Sequence, residues 1–252
     1  MKEESVEHAA KRRSGVGVRA LLALIVAGAA AHIASSALVP AYDARSLAAP
    51  TAVVTVAVVV EALSWVAYAP LAFLLAEWLR REPALGSGFI WAMLIAVAAE
   101  VPYDLLNAGE FSDFTSQNPV WAVVVILIVV AGVRRLQVAG ALPEPVRIIA
   151  VVAFIVAAVG WLGIFSVGVR LGVFPAGIAL FGFALIFRYL RGRENTMMLS
   201  AGGMGAALLV TPALGVVPLH FRDDAALRTQ PLPPAWVGLA YPVVLALATL
   251  VA

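Results

Sequence analysis

Residues 51–79 read TAVVTVAVVVEALSWVAYAPLAFLLAEWL, with Glu61 the one carboxylate before Glu77. A run this long and this apolar is a bilayer-crossing helix, because about 20 residues at 1.5 Å each span the hydrocarbon core. Its length is roughly 43 Å as helix, more than the core needs. The excess predicts a tilt, or a kink near Pro70, which lacks a backbone donor. Similar runs occupy 19–40, 88–107, 119–133, 147–165, 168–190, 197–219 and 234–252. The fold class expected is therefore all-α, a polytopic transmembrane bundle of about eight spans. The seventh run carries Gly202, Gly203, Gly205, Ala206 and Ala207, small residues that favour close helix packing.

Composition agrees. Hydrophobic residues make up 63% of the 252 and charged residues 13%, against about 45–50% and about 25% in soluble domains. The excess cannot all be buried in a soluble core of this length, so lipid is part of the solvent. No cysteine is present, which excludes disulfides and thiolate metal sites. The net charge of +2 is too small to suggest nucleic acid. Glycine-rich phosphate loops, HExxH and CxxC motifs and internal repeats are absent from the sequence.

Residues 1–18 form a charged N-terminal tail expected to lie unpacked in the cytoplasm, and 19–252 a single transmembrane domain. Arg12, Arg13 and Arg19 before an apolar run also resemble a secretory signal peptide, with Ala29, Ala30 and Ala31 near a cleavage site. The apolar character runs on to Val39, long for that reading. Cationic residues gather on the cytoplasmic side of membrane proteins. With the N-terminus inside and eight alternating spans, 13 Lys and Arg fall inside, and four (Arg45, Arg170, Arg222 and Arg228) fall outside. Both termini are then cytoplasmic, in the plasma membrane.

Ionisable groups within spans are costly and mark functional sites by default. His32, Glu61 and Glu100 lie roughly 12, 15 and 10 Å below the outer ends of their helices, so they could meet. Glu77 lies at the opposite end and is expected to pair with Arg80 or Arg81 three and four residues on. Each intramembrane group has a plainer reading: Glu61 as a hydrogen-bonded bundle residue, His32 as a packing histidine. Glu100 and Asp104 share one helix face. Pro102 between them is expected to kink or end the helix and present them to a cavity. Asn107, Glu110, Asp113, Gln117 and Asn118 follow in a loop that also reads as a simple solvated helix stop.

Three blocks resemble the TraX family of integral membrane proteins. Ala69-Pro70-Leu71-Ala72-Phe73-Leu74-Leu75-Ala76-Glu77 is similar to its FPxFAFLLxEG stretch. Ala99-Glu100-Val101-Pro102-Tyr103-Asp104-Leu105 is similar to SEIPFDL, and Gln117-Asn118-Pro119-Val120-Trp121 stands in the place of QNVFFT. His32-Ile33 and Tyr241-Pro242 match more weakly a first-helix DHI and a last-helix FYPLH. The resemblance implies a bundle of eight to ten helices related to membrane acyltransferases, which pass an acetyl group from cytoplasmic acetyl-CoA to an acceptor across the membrane. Carried onto this chain, the catalytic roles fall on His32, Glu100 and Asp104. Gln117 and Asn118 are then candidate oxyanion donors or acceptor-positioning groups, and Glu61 is a further substrate-side group or the acid that orients His32.

Three ionisable positions of that pattern are replaced, by Ala31, by Arg170-Leu171-Gly172 and by Val243-Val244. Three functions follow. The first is an acetyl-CoA-dependent acyltransferase acting at the outer side on a peptide, glycan or lipid, with His32 as base. The second is a non-catalytic membrane subunit or partner of an envelope assembly, which the replaced acids favour. The third is a small-solute or proton-coupled transporter, against which the absence of an inverted repeat argues.

Overall fold

The computed structural model describes residues 15–39, 50–82, 85–138, 142–170 and 174–250. The tail 1–14, Pro40, Arg45, Leu171 and Gly172 lie outside the described residues. Five helical stretches are long and apolar enough to cross a membrane: α1 (Val18–Leu38), the bent rod Thr51–Arg81, α4 (Gly86–Ala108), α5 (Val120–Val138) and α6 (Glu144–Ile164). Two shorter apolar helical stretches follow, α7 (Ala176–Tyr189) and Ala235–Thr249, of which Ala240–Thr249 is α12.

The bent rod consists of α2 (Thr51–Ser64), a 3₁₀ turn (Trp65–Ala67) and α3 (Tyr68–Arg81). Pro70 has no N–H for the carbonyl of Val66, so the helix tightens just before it. Two glycines close on this bend. A side chain at Gly28 of α1 would strike Ala67, and one at Gly215 would strike the Val66 carbonyl. Pro102, by contrast, does not stop its helix: α4 runs through it to Ala108 and ends at Gly109 in the left-handed region, φ 73°.

The core is aromatic where α3 meets α7. Phe73 meets Phe187 edge-on at 5.5 Å, and Phe181 and Phe183 are buried beside them. The sixth run begins differently from expectation. Residues 169–175 contain a small hairpin, β1 (Val169–Arg170) against β2 (Phe174–Pro175), and helix starts only at Ala176.

The seventh run, 197–219, is not one continuous helix. α8 (Glu194–Ala207) stops at Leu209, whose φ is 109°, and the chain continues as α9 (Thr211–Leu214) and α10 (Val217–His220). Pro212 and Pro218, each at the start of its helix, and Gly215 between them explain the break. The chain then returns to the end it left. Val16 N–H donates to the Phe221 carbonyl at 2.9 Å, and Asp223 N–H to the Val16 carbonyl at 3.1 Å. Residues 15–17 are therefore tied down rather than loose. Val18 N–H donates to Gln230 Oε1 at 2.9 Å, and Arg81 donates to the carbonyls of Gln230 and Leu227 on and just after α11 (Asp224–Thr229).

Charge fastens the same end. Glu77 accepts from Arg80 at 2.5 Å and pairs with Arg191 at 3.0 Å, so its second partner is Arg191 and not Arg81. Arg222 pairs with Glu194 at 2.7 Å and Asp224 at 2.9 Å. The guanidinium groups of Arg191 and Arg222 lie 5.1 and 5.3 Å from the Phe73 ring.

From this end the last helix rises alongside α4. Gly238 lies against Ile95, while Leu245 sits with Ala99, Tyr103, Leu106 and Ile33. The two helices run in the same direction, away from the end that holds Val16, Arg191 and Arg222.

Because the chain has no cysteine, single cysteines report position directly. Gly192→Cys and Arg228→Cys are expected to react with an impermeant maleimide from one side of the membrane and Leu250→Cys from the other. Labelling of Leu250→Cys from the side of Gly192→Cys would refute the parallel course of α4 and α12.

Candidate functional site

At the far end, the last turns of α1 meet the middle of α2. His32 Nδ1 lies 3.0 Å from Glu61 Oε1 and 3.2 Å from Oε2. A carboxylate only accepts, so Nδ1 carries the proton, and in a neutral ring Nε2 is a bare lone pair. His32 is 6% exposed and Glu61 3%. Trp65, one turn after Glu61, donates its Nε1–H to Oε1 at 3.3 Å.

The cation of this site comes from the hairpin. Arg170 is 3% exposed and its Nη1 lies 3.0 Å from Glu61 Oε2. It also donates from Nε to Asn107 Oδ1 at 3.1 Å and from Nη2 to the Ser35 carbonyl at 2.9 Å, and it bonds Ser35 Oγ and the Val39 carbonyl. Helix ends leave carbonyls without donors and carry partial negative charge. Arg170 thus caps α1 while neutralising Glu61. Asn107 in turn donates to the Tyr103 carbonyl at 2.9 Å.

Tyr103 joins this network to α4. Its ring stacks on His32 at 6.5 Å and 17°, and its hydroxyl lies 3.2 Å from Ser116 Oγ. Ser116 donates to the Val169 carbonyl at 2.7 Å, which closes the loop onto the hairpin. Tyr241 of α12 packs against the cluster formed by Ile33, Ala99 and Tyr103.

Glu100 stands one shell away. Its Oε2 accepts from Trp121 Nε1 at 2.7 Å and from Asn118 Nδ2. Asn118 also donates to the Ala96 carbonyl at 2.9 Å and accepts from Val120 N–H at 3.1 Å, so it caps α5. Asp104 accepts from Asp113 N–H at 3.0 Å, and Gln117 donates to the Asp113 carbonyl at 3.2 Å. Asn118 and Gln117 are therefore occupied in holding the loop, where the sequence suggested oxyanion donors.

Five buried polar atoms here have no partner among the described residues: His32 Nε2, Ser36 Oγ, Glu100 Oε1, Asp104 Oδ1 and Tyr241 Oη. Buried polar groups are nearly always hydrogen-bonded. His32 Nε2, opposite a ring nitrogen already held by an acid, is one of the five, and an unsatisfied lone pair of this kind is what a ligand would satisfy.

The structure thus joins His32 directly to Glu61, and to Glu100 and Asp104 only through Tyr103 and α4. Arg170, Ser35 and Asn107 are the residues that sequence reasoning missed. The sequence carried one general hint, that an intramembrane carboxylate such as Glu61 needs a cation, but nothing in it selected Arg170 as that cation.

Helices and site together define a polytopic α-helical membrane protein with a buried acid–base cluster. No family model matches the chain, no curated protein matches it, and no solved structure matches it.

Removing one member of a buried ion pair costs about 3–5 kcal/mol, because the other is left uncompensated. Arg170→Met is expected to lower stability by that order, read as a fall in thermal unfolding midpoint in detergent. Adding Glu61→Leu should restore part of the loss. A double variant less stable than Arg170→Met would show that Glu61 does not depend on Arg170.

Proposed function

We propose that the protein is a membrane-embedded acyltransferase in which His32 is the general base. The observation that carries this reading is the pairing of His32 Nδ1 with Glu61 while Nε2 is buried without a partner. An acid on one ring nitrogen fixes the tautomer and orientation that proton abstraction at the other requires. The likeness of the Glu100 and Gln117 blocks to TraX proteins supports acetyl-CoA as donor.

In this reaction His32 Nε2 takes the proton of an acceptor hydroxyl or amine, whose oxygen or nitrogen forms a bond to the thioester carbonyl. The carbonyl π electrons move to oxygen. Tyr241 Oη–H, unpartnered and packed near Tyr103, is a donor suited to that oxyanion. Collapse breaks the C–S bond, and the departing thiolate takes the proton back from the imidazolium. The products are an acetyl ester or amide and free coenzyme A. Arg188 Nε–H and Arg191 Nη1–H, buried at the opposite end without hydrogen-bond partners among the described residues, are donors that fit the phosphates of the acyl donor. The donor arm must then reach about 21 Å from the level of Val18 to His32.

The topology proposed has seven crossings, from the five long helices and the two shorter ones, with residues 194–220 dipping in and returning. Arg222 and Arg228 then join the basic side, and the count of Lys and Arg shifts from 13 against four to 15 against two. By the positive-inside rule that side is cytoplasmic, in a bacterial inner membrane, with the C-terminal helix ending outside. The acceptor is then an outer-side peptide, glycan or lipid.

A second reading is favoured by the completeness of the Glu61–Arg170 strut, which would serve a non-catalytic subunit equally well. The two separate on one comparison. At equal folded amounts in nanodiscs, His32→Ala is expected to lower transfer from labelled acetyl-CoA at least about a hundredfold, the low end for a general base. A folded His32→Ala protein with wild-type turnover would make the histidine a packing residue. A wild type that neither transfers nor binds acyl-CoA would favour the subunit.

A further inference from the structure

A furrow runs between α5 and α6, away from the acid–base cluster. On α5 its wall is Trp121, Val125, Ile128, Gly132 and Arg135, spaced four, three, four and three residues apart on one face. The facing wall on α6 is built largely from Ala150, Ala153, Ala157 and Ala158, whose small side chains keep it shallow. Two adjoining cavities of about 430 and 520 Å³ make up the furrow and share Phe154 and Ala157. Gly132 lets the Phe154 ring lie against the helix, and a side chain there would strike the ring. The upper cavity is capped by Trp121 and Trp161, which meet edge-on at 6.5 Å.

Arg135 is the one charged residue lining either cavity. It is exposed and has no ion-pair or hydrogen-bond partner among the described residues, whereas Arg134 beside it donates to the Leu79 carbonyl at 2.5 Å. From Arg135 to Trp121 is fourteen residues, roughly 21 Å of helix. Half a hydrocarbon core is about 15 Å, so a chain starting at Arg135 covers most of that distance and brings its end up to the tryptophans.

We propose that this furrow is a binding site for one anionic phospholipid, with its phosphate on Arg135 and an acyl chain lying along Gly132 and Phe154 toward Trp161. Arginine suits the headgroup because its planar fork meets phosphate oxygens two at a time. Any lipid could wet the apolar walls. The unpaired cation at one mouth selects an anionic one and sets the direction in which its chain runs.

The test uses the full-length protein in vesicles of phosphatidylcholine, with brominated phosphatidylglycerol or brominated phosphatidylcholine titrated in. Bromine quenches tryptophan on contact, and Trp161→Phe identifies the responding signal. Brominated phosphatidylglycerol is expected to quench Trp161 at about fivefold lower mole fraction, the effect of one basic residue at an anionic headgroup. Arg135→Gln should abolish that preference and leave chain-dependent quenching in place. Gly132→Leu or Ala153→Leu should reduce quenching by both lipids, and agreement of the two variants guards against misfolding of one. Equal quenching by the two headgroups in the wild type, or a preference that survives Arg135→Gln, overturns the proposal. So does a change in oligomeric state on Gly132→Leu without any change in quenching, which would make the furrow an interface between copies of this chain.

Discussion

The carboxylate of Glu61 is the constraint around which the half of the bundle remote from Arg191 and Arg222 is arranged. An uncompensated charge at this depth would cost several kcal/mol. Its two oxygens meet groups from three directions: His32 on α1, Trp65 one turn below, and Arg170 from the hairpin. Arg170 reaches inward from a strand, β1, paired with β2 where the sequence suggested the start of a helix. Its remaining donors go to the end of α1 and to Asn107, so one guanidinium sets the relative positions of α1, α2 and α4.

In the reaction proposed above, the same arrangement serves stability and chemistry together. A histidine held by an acid on one nitrogen is rigid, and rigidity of the other nitrogen is what proton transfer requires. Tyr103 extends that rigidity through Ser116 to the hairpin, and Glu100 with Trp121 fixes the neighbouring helix pair. Loop residues 113–118 therefore act less as a flexible rim than as the wall that keeps α4, α5 and the hairpin in register.

Apolar runs and proline positions made the helices legible, because bilayer thickness and the missing proline N–H act locally. Val18–Leu38, Gly86–Ala108 and Glu144–Ile164 lie within a few residues of the runs expected. Hydropathy misled at 197–219, where the composition is that of a span but Pro212, Gly215 and Pro218 fold it back. No window average registers direction. Glu61 and His32 could be singled out from their depth, and Glu61 as a spatial acid for His32 was among the readings the sequence allowed. Arg170 could not be placed, because its contact with Glu61 spans 109 residues and depends on a two-residue strand. The same long separation hid the Glu77–Arg191 pair, for which the nearby Arg81 was the natural local guess.

Arg170 capping α1 also has a consequence in time. During synthesis α1 and α2 are complete long before residue 170 emerges, and until then Glu61 has, among the described residues, only His32 and Trp65 as side-chain partners. The carbonyls of Ser35 and Val39 likewise wait for their donor. The contact between α2 and the hairpin thus forms only once residues 144–170 have been made. A chain halted before Arg170 therefore lacks the residue that both caps α1 and neutralises Glu61.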